Sequence, residues 1–338
     1  MTGRPRVAVF ALGGTIASSA GPGEAATVQL TGPDLIRGLP EAAAMADLSV
    51  HSVAMVPSGD LRLPDLLGLV PQVAKAVESG VDGVVVTQGT DTLEETSYAF
   101  ELLTALDAPV VFTGAMRNSS LPGSDGPANL LAAIAVAASP QARGLGTVVV
   151  FNDEIHASRH VRKRHTSSTA TFGSPLTGPL GYVTEGRVRV LLRPNGRLHV
   201  RVPPGGPDVR VAQVAVSFDD DGGLIEAVPS LGYRGLVLAA FGGGHVPSWT
   251  VPILVRVASQ IPVVLASRTA AGEGLTGTYA YPGSETDLIS HGLIPGGSLD
   301  ATHAGVLLRL LVMAGAERGE LRSWFERASD PHGLITAP

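Results

Sequence analysis

Two Gly-Thr pairs, each closing an apolar run, place hydroxyl chemistry at the centre of this sequence. Residues 7–12 run into Gly13-Gly14-Thr15-Ile16-Ala17, and residues 84–87 run into Gln88-Gly89-Thr90-Asp91-Thr92. A threonine hydroxyl is a weak nucleophile in water but a competent one beside a base in a closed pocket. Asp91 adds a carboxylate next to the second hydroxyl. Further polar groups recur where strands are expected to end: Ser58 in Pro57-Ser58-Gly59-Asp60, Thr113-Gly114-Ala115, and Asn152-Asp153. Taken singly, each reads as an ordinary turn or cap residue. At successive strand ends they describe a site, and Gly13-Gly14 allows the backbone to approach a small ligand closely.

A base is the missing part, and lysine usage points to one. Of 24 basic residues only Lys75 and Lys163 are lysines, the rest being arginine. Lysine loses its proton readily when buried, whereas arginine effectively cannot. Lys75 falls in a helical stretch and reads as a solvated surface residue. Lys163 lies in Arg159-His160-Val161-Arg162-Lys163-Arg164-His165, which reads either as a solvated, anion-facing loop or as a loop that delivers the amine to the site.

These residues need a scaffold, and the apolar pattern supplies it. Short Val-rich runs at 7–12, 84–87, 110–113 and 147–151 read as parallel strands buried on both faces. Between them Leu93, Thr96, Phe100 and Leu103 share a helical face, with Thr92 and Glu95 as a capping box. Asp125-Gly126-Pro127 opens a second helix through Leu130, Leu131 and Ile134. This alternation predicts an α/β fold: a larger N-terminal, doubly wound, flavodoxin-like domain over residues 1–190. In such sheets the ligand sits beyond the carboxyl ends of the strands. Residues 187–192 and 197–202 flank Pro194-Asn195-Gly196 and read as a hairpin, so 191–211 forms a hairpin and linker. Strands at 212–218, 236–241 and 262–267, with helices at 304–314 and 320–327, predict a smaller C-terminal α/β domain over 212–338.

Composition narrows the function. The 338 residues exceed a typical single core, and 44% hydrophobic with 16% charged residues fits a globular protein. A formal charge of −6 argues against a polyanion-binding surface, and no nucleic-acid partner is expected. With no cysteine, thiol catalysis and thiolate metal sites are excluded. Neither a signal peptide nor a run of the roughly 18 apolar residues that a membrane span needs is evident, so a cytoplasmic enzyme is expected.

The sequence resembles the bacterial-type L-asparaginase (asparaginase/glutaminase) family over nearly its whole length. The segments that carry the resemblance are Gly13-Gly14-Thr15-Ile16-Ala17, Gly89-Thr90-Asp91-Thr92-Leu93-Glu94-Glu95-Thr96 and Thr113-Gly114-Ala115-Met116-Arg117. Ser124-Asp125-Gly126-Pro127-Ala128-Asn129-Leu130, Phe151-Asn152-Asp153-Glu154 and Lys163 follow in the same order. The resemblance implies hydrolysis of asparagine to aspartate and ammonia, with glutamine as a side substrate and no cofactor or metal. It makes Thr15 the nucleophile and Thr90, Asp91 and Lys163 a second catalytic group. It assigns the oxyanion to the N–H groups of Thr90 and Ala115, the α-carboxylate to Ser58 and Gly59, and the α-ammonium to Asp91. It also implies a homotetramer, a dimer of dimers, in which Glu285 and His245 complete a neighbouring subunit's site.

Four positions depart from the family pattern. Ala26 stands where the mobile loop carries a tyrosine, and Gly59 replaces a longer polar side chain. His245 stands for asparagine, and Gln88 for a frequent histidine. Two other readings compete. A metal hydrolase would use His156 and His160, four residues apart, although the glutamate of a zinc-protease motif is absent. A non-catalytic amino-acid-binding relative would keep the pocket without the turnover.

Overall fold

The computed structural model describes residues 3–21, 23–269 and 271–329. The chain divides into two compact units, Met1–Pro194 and Asn195–Pro338.

In the first unit, β1 (Arg6–Gly13) leads through a ribbon, β2 (Ser18–Ser19) and β3 (Thr27–Val28), to short helices α1 (Gly32–Arg37) and α2 (Pro40–Met45). Then follow β4 (Asp47–Val56), α3 (Leu63–Glu78), β5 (Gly83–Thr87), α4 (Leu93–Leu103), β6 (Val110–Thr113), α5 (Gly126–Ala138) and β7 (Thr147–Phe151). The five parallel strands lie in the order β4-β1-β5-β6-β7. That is the flavodoxin-like order 2-1-3-4-5, whose direction reverses between β1 and β5. The doubly wound reading therefore holds. The sheet continues with antiparallel strands β8 (Glu154–Ala157), β11 (Gly181–Thr184) and β12 (Arg187–Val190). Between β8 and β11 a separate two-stranded ribbon pairs β9 (Arg162–Lys163) with β10 (Phe172–Gly173).

Alternate side chains of each strand enter opposite cores, as a period of two requires. Val7 and Val9 pack with Val85, Val111 and α5 on one face. Ala8, Phe10 and Leu12 pack with Val84, Val86, Leu69 of α3 and Phe100 of α4 on the other. Both faces are covered, which is why the strands are apolar throughout rather than alternating.

The second unit is a parallel sheet of β13 (Val211–Ala215), β14 (Gly235–Ala240), β15 (Val263–Ser267) and β16 (Ile294–Pro295). Its helices are α6 (Gly223–Ala227), α7 (Val251–Gln260), α8 (Glu285–Ser290), α9 (Ala301–Met313) and α10 (Arg318–Ser329). Leu254, Val257 and Ala258 of α7 seal one sheet face, and α9 packs on β13, β14 and β15.

Two local expectations are corrected. The hairpin forms one turn earlier: β12 pairs with β11 across Glu185-Gly186, and 197–202 carries no strand. Gly186 (φ 69°) and Glu185 (φ 52°) supply the left-handed pair that a tight hairpin turn needs, so register is set there. The capping box at α4 is also not made. Thr92 instead donates its hydroxyl to Ser58 O at 3.0 Å, tying the start of α4 to the Ser58 loop.

Candidate active site

Three strand-end loops meet where β1 and β5 finish, and glycines let them touch. Gly13 (φ 102°) and Gly14 (φ 80°) turn the chain out of β1, and Thr15 opens a single 3-10 turn, Thr15–Ala17. A Cβ on Gly14 would stand 2.0 Å from the backbone nitrogen of Gly89. One on Gly89 would meet Ser58 Oγ at 2.8 Å, and one on Gly114 would meet Gln88 O at 2.5 Å. The backbones after β1, β5 and β6 are thus packed against each other with no room for a methyl group. Thr15 and Thr90 are brought to one place by this contact.

Around that place is a cavity of about 470 Å³, a size suited to a small molecule. Thr15, Ser58, Thr90 and Asp91 line it on the sheet side, and Ala26, Thr27 and Val28 of the β2–β3 ribbon cover it. Hydrogen bonds from Ser119 Oγ to Ser18 O (2.9 Å) and from Ala20 N to Ser120 Oγ (2.8 Å) tie down the ribbon's first strand. Ala26 leaves the lid without a hydroxyl at the position the resemblance flags. Among the described residues the Thr15 hydroxyl forms no hydrogen bond.

Lys163 reaches the same group from the β9–β10 ribbon. Its Nζ donates to Thr90 Oγ1 at 2.9 Å and to Asp91 Oδ1 at 2.6 Å. The lysine side chain is largely enclosed (17% exposed), whereas the aspartate is 78% exposed. Thr90 Oγ1 also lies 3.4 Å from Met116 Sδ. Ser58 is buried and accepts from Asp91 N at 3.2 Å, so its hydroxyl orients the Thr90-Asp91 turn. Gly59 borders Ser58, and a Cβ there would meet nothing within 4 Å.

The turn carrying Ala115 is held by the start of α5. Asp125 accepts from Met116 N (3.0 Å) and Arg117 N (2.8 Å), and Asn129 donates to Gly114 O (3.0 Å). Ala115 is buried, and neither its N–H nor that of Thr90 has a protein acceptor among the described residues. Asn152 and Asp153 are not at this cavity. Both adopt left-handed φ (50° and 63°) as the two-residue turn between β7 and β8, a conformation those residue types tolerate. Asn152 N donates to Asn129 Oδ1 and so supports the site from behind.

His245 and Glu285 belong to the second unit. Glu285 is fully buried, with Oε1 accepting from Thr278 N and Tyr279 N (2.7 Å each) and Oε2 lying 3.0 Å from His245 Nε2. Burial opposes its ionisation, but the N–H donors of Tyr279 and Thr278, with His245, win and hold its pKa below the usual carboxylate range. His245 Nδ1 lies 3.1 Å from the Tyr281 hydroxyl. Sequence reading missed Tyr281, Asp125, Met116 and Glu94 as supporting residues. The acidic first turn of α4 was the available signal for the last of these.

The helical spacing assumed for His156 and His160 does not form, because His156 lies on strand β8 and His160 in the turn after it. His156 Nδ1 pairs with Ser174 Oγ at 3.1 Å inside the core, and no cluster of three metal-ligating residues exists among the described residues. Burial pushes the His156 pKa down to about 4, and half-exposed Glu154, 3.3 Å away, does not offset it. The unfolded chain therefore binds a proton that the folded one refuses between about 6.5 and about 4. Stability should fall as pH drops through that window, by about 3 kcal/mol from this group. The stability lost across that window should be smaller in His156→Gln by about 3 kcal/mol, read by chemical denaturation at each pH; an equal loss would refute it. At the strand ends, Gly14→Ala should cost at least about 2 kcal/mol in chemical denaturation, while Gly59→Ala stays within about 0.5 kcal/mol.

Residues 6–195 match the family described as "Asparaginase, N-terminal", and residues 210–325 match the "Glutaminase/Asparaginase C-terminal domain". The chain is 37% identical over 331 residues to a protein described as "Probable L-asparaginase" from Deinococcus radiodurans, covering 95% of this chain and 97% of that one. It is 34% identical over 302 residues to a "Glutaminase-asparaginase" of Pseudomonas fluorescens biotype A, covering 86% and 83%. The crystal structure of a probable cytoplasmic L-asparaginase from Campylobacter jejuni superposes with a TM-score of 0.86 at 30% identity, over 96% of this chain and 99% of that one. With both halves matched in order and the fold shared end to end, this chain belongs to the bacterial-type asparaginase/glutaminase family.

Proposed function

We propose that this protein hydrolyses the side-chain amide of L-asparagine to L-aspartate and ammonia through an acyl-threonine intermediate. The observation that carries the reading is Lys163 Nζ, within hydrogen-bond reach of both Thr90 and Asp91, which line one cavity together with Thr15. In this scheme the substrate lies in the cavity with its α-ammonium on the exposed Asp91 carboxylate and its α-carboxylate at Ser58 and Gly59. Thr15 Oγ attacks the amide carbon and gives up its proton. The oxyanion that forms is met by the N–H groups of Thr90 and Ala115, a contribution of about 10²–10³ per donor in rate. Collapse breaks the C–N bond, and the departing nitrogen takes up the proton that Thr15 gave up and leaves as ammonia. Water then attacks the ester. Its proton passes by way of Thr90 and Lys163 to Thr15 Oγ as the ester C–O bond breaks, and aspartate is released.

Lysine suits this role because its amine can lose and regain a proton while staying tethered. We assign Glu285 and His245 to substrate binding within a homotetramer, where Glu285 would act through one of the oxygens now held by its own unit. We place the protein in the cytoplasm. Among the described residues no helix is long and apolar enough to cross a membrane. A second reading, binding without turnover, is favoured by Ala26 in the lid, which leaves no phenol over Thr15.

Ammonia release by the purified protein separates the two: turnover of asparagine supports hydrolysis, and saturable binding with no ammonia supports the alternative. Parallel assays with glutamine set the substrate preference. Thr15→Ala should reduce turnover to background with an unchanged melting temperature. Lys163→Arg, which keeps the charge but cannot accept a proton, should lower kcat by at least about 10²-fold. An Lys163→Arg enzyme of near wild-type kcat would remove lysine from the proton path.

A further inference from the structure

We infer that Glu94 is a positioning residue for the reaction: its carboxylate clamps the backbone of Lys163 to the start of α4 and so fixes where the amine meets Thr90 and Asp91. The inference rests on the role proposed for Lys163 above. Lys163 N donates to Glu94 Oε2 at 2.6 Å, a contact that spans 69 residues of sequence.

The geometry of the β9–β10 ribbon explains why such a clamp is needed. Lys163 faces Phe172 and Arg162 faces Gly173, while Arg164 N bonds to Thr171 O at 2.7 Å. In an antiparallel pair successive amides point alternately toward and away from the partner strand. The Lys163 amide therefore points away from β10, at the edge of a ribbon whose strand is two residues long. Glu94 supplies the acceptor that a neighbouring strand would otherwise provide.

Glu94 lies in the first turn of α4, where the helix dipole favours a carboxylate. It follows Thr90 by four residues and Asp91 by three. One short stretch of chain thus carries the hydroxyl, the carboxylate and the anchor for the amine. The ion pair to Asp91 is a poor locator alone, because that carboxylate is 78% exposed and open to water. A lysine stem has four rotatable bonds, and a displacement of about 1 Å at a reacting group can cost about 10²-fold in rate. Holding the lysine at its backbone shortens the lever by which the amine can wander.

The test compares Glu94→Ala with Glu94→Gln, whose amide oxygen still accepts the Lys163 N–H. Glu94→Ala should lower kcat for ammonia release from asparagine by about tenfold or more, with KM within about twofold, as for an interaction that acts on the reacting geometry. Glu94→Gln should recover to within about threefold of wild type. A purely structural carboxylate at the head of α4 would lower the melting temperature in Glu94→Ala and leave kcat intact, which would overturn the proposal. Glu94→Gln as impaired as Glu94→Ala would overturn it too. Should the wild-type protein release no ammonia, the functional reading falls while the clamp is still measured. Acetylation of Lys163 by an N-hydroxysuccinimide ester, followed by mass spectrometry, should be faster in Glu94→Ala than in wild type, and equal rates would refute the clamp.

Discussion

The site depends on backbone contact between chain segments that follow different strands. Gly14 lies against Gly89, Gly89 against Ser58, and Gly114 against Gln88, each too close for a Cβ. A parallel sheet sets neighbouring strands about 4.8 Å apart, and side chains at the strand ends would ordinarily hold the emerging loops apart. Removing the Cβ at three positions closes that gap. Two hydroxyls more than seventy residues apart in sequence then share one small cavity. The cost is conformational, since Gly13 and Gly14 adopt left-handed φ that other residues resist.

The location of this contact follows from strand order. β1 and β5 are neighbours whose following connections pass to opposite faces of the sheet, which opens a crevice between their ends. Both cores are sealed by helices, so this end of the sheet is where polar groups can converge on a cavity. Support then comes from behind: Asp125 and Asn129 at the start of α5 shape the Ala115 turn, and Thr92 ties the Ser58 loop. Lys163 enters from outside this frame on a ribbon of its own. Its placement therefore depends on specific contacts rather than on the sheet.

The second unit carries a different kind of polar cluster. Glu285 has both carboxylate oxygens engaged by its own unit, and its buried charge is stabilised by two backbone N–H groups and His245. A buried carboxylate so satisfied holds neighbouring groups in place. The His245–Tyr281 contact is the partner it orients.

Much of this was legible in the residues alone. Apolar runs bounded by glycine and threonine marked β1, β5, β6 and β7, because a strand buried on both faces must be apolar throughout. The order of short motifs identified the family, and the scarcity of lysine singled out Lys163. Local pattern misled where a local bond competes with a distant one. Thr92 looked like a cap but bonds to Ser58, and Pro194-Asn195-Gly196 looked like a hairpin turn but Glu185-Gly186 makes it. His156 and His160 had helical spacing on a segment that became a strand inside the sheet and the turn after it. Sequence spacing determined which side chains share an element and face. Only the tertiary structure decided which elements touch, because hydrogen bonds such as Lys163 to Glu94 join positions whose separation along the chain carries no periodic signal.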